Sequence, residues 1–256
     1  MDFLLWLPAL LAGLLVILTH IPLGQIVLKK EVIFLDLAIA QAAALGVTLA
    51  HVLNIMPNSI QWHSIAAISA IMMAALFQYL DRKKTPYLEA WIGCSFVLTA
   101  SLGVVLISSS PHAAEHLKEI LMGQILWVTP QNLWVTVAYY FVAAAIWGVW
   151  RRSFYFIFAL CITASVQLVG VYLVFATLIM PALATVFIDA KYKDKYKYIR
   201  IILGYILAIA AYILGIGLSH WGDWPASALI IFSLAILSLL LIAVVFIVKD
   251  KRAEKA

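Results

Sequence analysis

Stretches of about 20 apolar residues follow one another almost end to end along this 256-residue chain, joined by short connections that carry most of its lysines and arginines. A bilayer core about 30 Å thick takes roughly 20 apolar residues per helix, so runs of this length are read as membrane helices. Hydrophobic residues make up 66% of the chain and charged ones 11%, with a mean hydropathy of +1.06. Soluble domains hold about 45 to 50% apolar residues. The expected architecture is therefore an all-α polytopic membrane protein, a single transmembrane domain over residues 1–256 with no room for a soluble one.

The runs fall at roughly 3–28, 32–53, 63–80, 88–108, 132–150, 154–168, 171–188, 199–219 and 225–248, which makes nine crossings. No Lys or Arg precedes Lys29, so the first run lacks the basic start of a secretory signal and is expected to be kept as a helix. Phe154 to Ile188 reads either as one long helix of about 50 Å at ~1.5 Å per residue or as a broken hairpin turning near Gln167 to Gly170. The hairpin is preferred because a single helix would carry KYKDKYKYIR to the opposite side from the other basic loops. Its turn then needs neighbouring helices or a wet cavity to satisfy the backbone.

Cytoplasmic loops of membrane proteins are enriched in Lys and Arg. With the N-terminus outside and the C-terminus cytoplasmic, 16 of the 17 lysines and arginines fall on the inner side, and only Lys118 stays outside. The net charge of +5 thus reports topology in a plasma (inner) membrane, with lipid as a partner and no nucleic acid. Cys94 and Cys161 form no CxxC and read as small packing residues.

The same topology places five of the six histidines, His51, His63, His112, His116 and His220, at the outer face, and His20 deeper, in the inner half of the first helix. In PHAAEHLKE, His112 and His116 stand at i,i+4 on one helical face with Glu115 between them, a spacing that lets both imidazoles reach one divalent ion. The bland alternative is a solvated histidine face. A zinc protease would need HExxH, and Glu115 precedes the second histidine instead. A membrane metalloenzyme would need an open metal position and a general base, and no spacing supplies both, so the chain is not read as an enzyme.

Within FLDLAIAQAAALG, Asp36 and Gln41 are polar groups at membrane depth. An intramembrane carboxylate marks a pathway by default; the competing reading has Asp36 reaching toward Lys30 at the interface. For Gln41, interhelical hydrogen bonding is the simpler account. Five residues apart, about 140° around a helix, they do not share a face. Glu89 follows Thr85-Pro86 and suits a helix start. Ala176, Ala182 and Ala184 beside Pro181, with Gly215 and Gly217, read as close-packing positions.

Five stretches in order, PLGQIVLKKEVIFLDLAIAQAAALG, EAWIGCSFVLTASLGVVLIS, LMGQILWVTPQNL, VQLVGVYLVFATLIMPALA and GDWPASALIIF, resemble the permease subunit of the zinc, manganese and iron class of ABC importers. The resemblance covers nearly the whole chain. It implies a homodimer or paired permease, cytoplasmic ATPase subunits and an extracytoplasmic metal-binding protein, with a transported divalent metal ion and no permanently bound cofactor. The sequence has no GxxxxGK[ST] loop, so ATP hydrolysis is expected on another chain.

Three departures from that family stand out. Its second helix carries an Asp and a His four apart before a Pro-Gly; aligned on Gly46, these positions are Leu37 and Gln41, the carboxylate has moved to Asp36, and Leu45 replaces the proline. The long cytoplasmic segment that seats the ATPase is reduced to Arg151–Ser153. The metal is accordingly expected to meet His112, Glu115 and His116, with His51, His63 and His220, at the outer face, and Asp36, Gln41 and His20 along its path. Arg151, Arg152, Lys191 and Lys193 are expected to contact the partner. An ATPase-independent channel or secondary carrier on the same fold is the alternative.

Overall fold

A computed structural model describes residues 3–57, 59–107, 121, 123, 125–149, 154–186, 197–222 and 224–253. Among them are nine α-helices and no strand: α1 (Phe3–Lys30), α2 (Leu35–Val52), α3 (Ile60–Arg82), α4 (Leu88–Ile107), α5 (Pro130–Val149), α6 (Phe154–Val169), α7 (Val171–Val186), α8 (Lys197–Gly222) and α9 (Ala226–Ala253), with a single 3-10 turn at Ile125–Trp127 before α5. Six helices are long and apolar enough to cross a membrane, namely α1 to α4, α8 and α9, while α6 and α7 are shorter apolar helices. Each of the nine expected runs is occupied by one helix.

Contacts between helix ends fix their directions. Lys30, at the end of α1, pairs with Asp81 near the end of α3 at 3.6 Å and sits 5.4 Å from the ring centre of Phe154, the first residue of α6. The Phe34 N–H just ahead of α2 donates to Glu89 Oε1 at the start of α4 (2.9 Å). The end of α1, the starts of α2, α4 and α6 and the end of α3 therefore share one face of the bundle, the basic face. His51 and His63, at the far ends of α2 and α3, lie on the opposite face. Tyr205 of α8 donates to the Leu18 carbonyl, and a Cβ on Gly13 would strike Tyr212, so α8 runs antiparallel to α1 and brings His220 to that opposite face too.

Residues 154–186 form the hairpin, with a different shape from two helices laid side by side. Phe154 begins on the basic face beside Lys30, and further along α7 a Cβ on Gly24 would run into the Leu178 carbonyl and Ala182. Gly24 is six residues from the end of α1, about 9 Å at ~1.5 Å per residue, so α7 descends toward the face from which α6 rises. Their apex is Gly170, with φ 86°, a left-handed value open to glycine at little cost. Its N–H still donates to the Val166 carbonyl (2.9 Å) and its carbonyl accepts from Val174 N–H (3.2 Å), so a one-residue break leaves both backbone groups satisfied.

The legs diverge because they have different neighbours. α6 packs on α5, α3 and α2, whereas α7 packs on α1, α9 and α8. Gly123, with φ 63°, lies so close to the apex that a Cβ there would fall on the Val169 carbonyl. Buried Ile125 and the 3-10 turn then lie against α1, while Trp127 is exposed.

Burial separates the inner helices from the outer ones. α2 buries thirteen residues around its circumference, Asp36 and Gln41 included, so their 140° separation does not send either to lipid. α4 buries few of its residues, and Cys94 is exposed on it while Cys161 is buried; the packing expected of both cysteines holds for Cys161 alone. Ala176, Ala182 and Ala184 are buried as small-residue contacts. Gly215 fits against the Ile230 backbone, where a Cβ would lie 2.5 Å from Ile230 Cα, but Gly217 faces open space.

Candidate functional site

Three polar centres lie inside this apolar bundle. Asp36 stands in the first turn of α2, near the basic face, and is completely buried. Neither carboxylate oxygen has a hydrogen-bond partner among the described residues. Lys30, the cation of the competing reading, turns instead to Asp81 and to the rings of Phe154 and Tyr155. Glu89 does more than begin a helix, because its Oε1 caps the Phe34 N–H and so ties α4 to the approach to α2. A carboxyl group buried without a partner costs free energy that packing alone does not return.

The second centre is at mid-depth. His20 is fully buried on α1, with Nδ1 2.9 Å from the Val16 carbonyl and 2.9 Å from Thr19 Oγ1. A carbonyl only accepts, so Nδ1 carries the proton and Nε2 presents a lone pair, which has no partner among the described residues. Around this level, hydroxyl pairs bridge helices: Tyr140 of α5 to Ser165 of α6 (2.7 Å) and Thr177 of α7 to Tyr212 of α8 (2.9 Å). α1 packs chiefly on α7, α8 and the 3-10 turn, and α2 on α3, α4 and α6. The hairpin thus stands between His20 and the pair Asp36 and Gln41, and Gln41 is itself buried on α2.

The third centre is near the opposite face. Ser59 caps α3 by accepting from Trp62 N–H (3.2 Å), which fixes the first turn and with it His63. His63 Nδ1 hydrogen-bonds Gln167 Oε1, three residues before the apex, and the His63 carbonyl accepts from Tyr139 of α5 (2.9 Å). His63, Asn132, Thr136, Tyr139 and Gln167 border a small cavity between α3, α5 and α6. The sequence shows His63 as one of several histidines; the link to Gln167, 104 residues away, has no local signal beyond an amide three residues before the glycine in VQLVG.

Among the described residues no group of three His, Cys, Asp or Glu side chains converges on one point. His51 and His220 share a face with His63 without joining it in such a group. His112, Glu115 and His116, and the partner-contact residues Arg151, Arg152, Lys191 and Lys193, lie outside the described residues.

The ABC 3 transport family matches residues 2–159 and 153–247, which together span almost the full length. The chain belongs to the ABC 3 transport family. Two solved structures share the fold of this ABC 3 family member. PsaBC from Streptococcus pneumoniae in complex with Fab is 19% identical, with a TM-score of 0.72 over 94% of this chain and 91% of that one. An inward-facing conformation of a metal-chelate type ABC transporter is 18% identical, with a TM-score of 0.66 over 93% of this chain and 85% of that one. Family membership makes the chain a membrane component of a transport system, in keeping with the resemblance read from its sequence.

Proposed function

We propose that this chain is the permease subunit of an importer that moves a divalent transition-metal ion, zinc, manganese or iron, into the cytoplasm. The observation that carries the reading is Asp36: a wholly buried carboxyl group without a partner among the described residues, inside a member of a transport family. Intramembrane carboxyl groups of this kind mark ion pathways. His20 adds a buried imidazole nitrogen suited to a borderline metal, on the other side of the hairpin. The similarity of the fold to a metal-chelate type transporter supports the same class of cargo.

The permease works as a pair, with two cytoplasmic ATPase subunits and an extracytoplasmic binding protein that delivers the ion. Its basic face is cytoplasmic, with the N-terminus outside and the C-terminus inside, in accord with the charge asymmetry of the loops. The cation then enters from the face of His51, His63 and His220, joined by His112, Glu115 and His116, and passes Asp36, Gln41 and His20. Arg151, Arg152, Lys191 and Lys193 meet the partner subunit.

A second reading draws on one observation. α5 ends at Val149 and α6 begins at Phe154, so four residues join them where the family places its ATPase-seating segment. A channel or secondary carrier on the same fold would need no such segment. Uptake of Zn2+, Mn2+ and Fe2+ into cells expressing the chain, with and without a co-purifying ATPase subunit, tests both. ATPase-dependent accumulation of one of these ions supports the importer, and accumulation without any ATPase supports the carrier. No accumulation of any of them removes the metal reading.

A further inference from the structure

The cavity below the opposite face has the chemistry of an ion site in its own right. His63 is only 8% exposed, yet one of its ring nitrogens makes no hydrogen bond to any described residue. The Gln167 carbonyl oxygen, which only accepts, holds the proton on Nδ1, so Nε2 carries the lone pair. A histidine that ligates a metal through one nitrogen almost always gives its other N–H to an oxygen acceptor, which fixes both tautomer and ring angle. Tyr139 adds a second restraint through the His63 backbone.

The remaining polar walls are the side-chain oxygens of Asn132, Thr136 and Tyr139, beside apolar Val135, Ala164 and Leu168. The Thr136 hydroxyl spends its proton on the Asn132 carbonyl (3.0 Å), which leaves its oxygen lone pairs open. The space is about 10 Å³, on the order of one water-sized occupant, so a bare ion fits and a fully hydrated one does not. None of the described residues bordering it is a carboxylate. Such a site binds a cation weakly enough to release it, as conduction requires. The imidazole nitrogen favours a transition metal over magnesium or calcium.

We propose that the cavity between α3, α5 and α6 is a transit site for a divalent transition-metal ion, with His63 Nε2 as its nitrogen ligand and Gln167 as the positioning residue. The proposal rests on the transport reading for its role, although the site itself is defined by these side chains. Its place just under the hairpin apex gives it a mechanical consequence. Gln167 is on the rising leg, so a tilt of α6 away from α3 would separate the amide from His63 and free the ring.

The test uses the purified full-length chain in nanodiscs with Co2+ as probe, read by pulsed EPR for imidazole nitrogen coupling and by equilibrium binding. The wild type is expected to show the coupling, and His63→Ala to show it from one imidazole fewer. Gln167→Leu, which keeps the ligand and removes its restraint, is expected to weaken Co2+ binding by about 10- to 100-fold. Gln167→Glu, a stronger acceptor for Nδ1–H, is expected to restore or exceed wild-type affinity while slowing release. Circular dichroism and elution volume identify variants that fail to fold, and the pair of Gln167 variants keeps the test decisive if His63→Ala does.

No nitrogen coupling in the wild type overturns the site. The same number of coupled imidazoles in His63→Ala does so as well, and Gln167→Leu binding like wild type overturns the positioning role. Because Co2+ binding is measured without transport partners, a chain that binds Co2+ through His63 but accumulates no metal would sink the importer reading and leave the site standing.

Discussion

Replacing Asp36 with alanine separates a pathway carboxyl group from a structural one. Both Asp36 oxygens are buried without hydrogen-bond partners, so truncation breaks no bond formed by that side chain within the described fold. Removing a buried unsatisfied polar group relieves about 1–3 kcal/mol. The void left is roughly the ~30 Å³ share of one water, which at about 24 cal/mol per Å³ costs ~0.7 kcal/mol. Asp36→Ala is therefore expected to stabilise the purified protein by about 0.5–2 kcal/mol while abolishing metal uptake. Isosteric Asp36→Asn should stay within about 1 kcal/mol of wild type and also lose uptake. The assay is unfolding in mixed detergent micelles beside cellular uptake at matched expression. A loss of 2 kcal/mol or more in Asp36→Ala, with uptake intact, would refute the reasoning: the carboxyl group would then be holding the fold together rather than serving the ion.

Two further outcomes follow from packing and topology. A Cβ on Gly24 would meet the Leu178 carbonyl, with Ala182 Cβ at 3.1 Å; overpacking costs ~1–3 kcal/mol against about 1 kcal/mol of helix propensity regained, so Gly24→Ala should lower the thermal midpoint, whereas Gly217→Ala, with open space at that position, should not. Equal midpoints for the two would mean that α7 does not lie against α1 as described. For orientation, Met56→Cys on the histidine face, where Met56 is 78% exposed, should react with an impermeant thiol reagent on intact cells and Lys83→Cys should not; the reverse pattern would invert the topology.

Much of the fold was legible because lipid imposes simple rules. The nine apolar runs became nine helices within a few residues of their expected ends, and Gly170 broke the 154–188 stretch as the charge pattern required. What the charge pattern did not contain was the splay of the two legs, which comes from α6 and α7 having different neighbours. Partner choice was equally hidden. Lys30 is six residues from Asp36 in sequence, but the bundle brings Asp81 to it instead, and Glu89 reaches back 55 residues to Phe34. Cys94 and Cys161 look alike in apolar runs and differ only because α4 is peripheral and α6 is internal.

By itself, then, the amino-acid order determined that this chain is a polytopic membrane protein, where its helices fall and which helix ends share a face, because hydropathy and loop charge act locally and need no knowledge of neighbours. Only the tertiary structure decided that Asp36 has no counter-charge among the described residues, that His20 is on the far side of the hairpin from it, and that His63 meets Gln167 beside a cavity of ionic size. Those are outcomes of which helices pack together, and in a chain so uniformly apolar almost any pair of faces could satisfy hydropathy equally well.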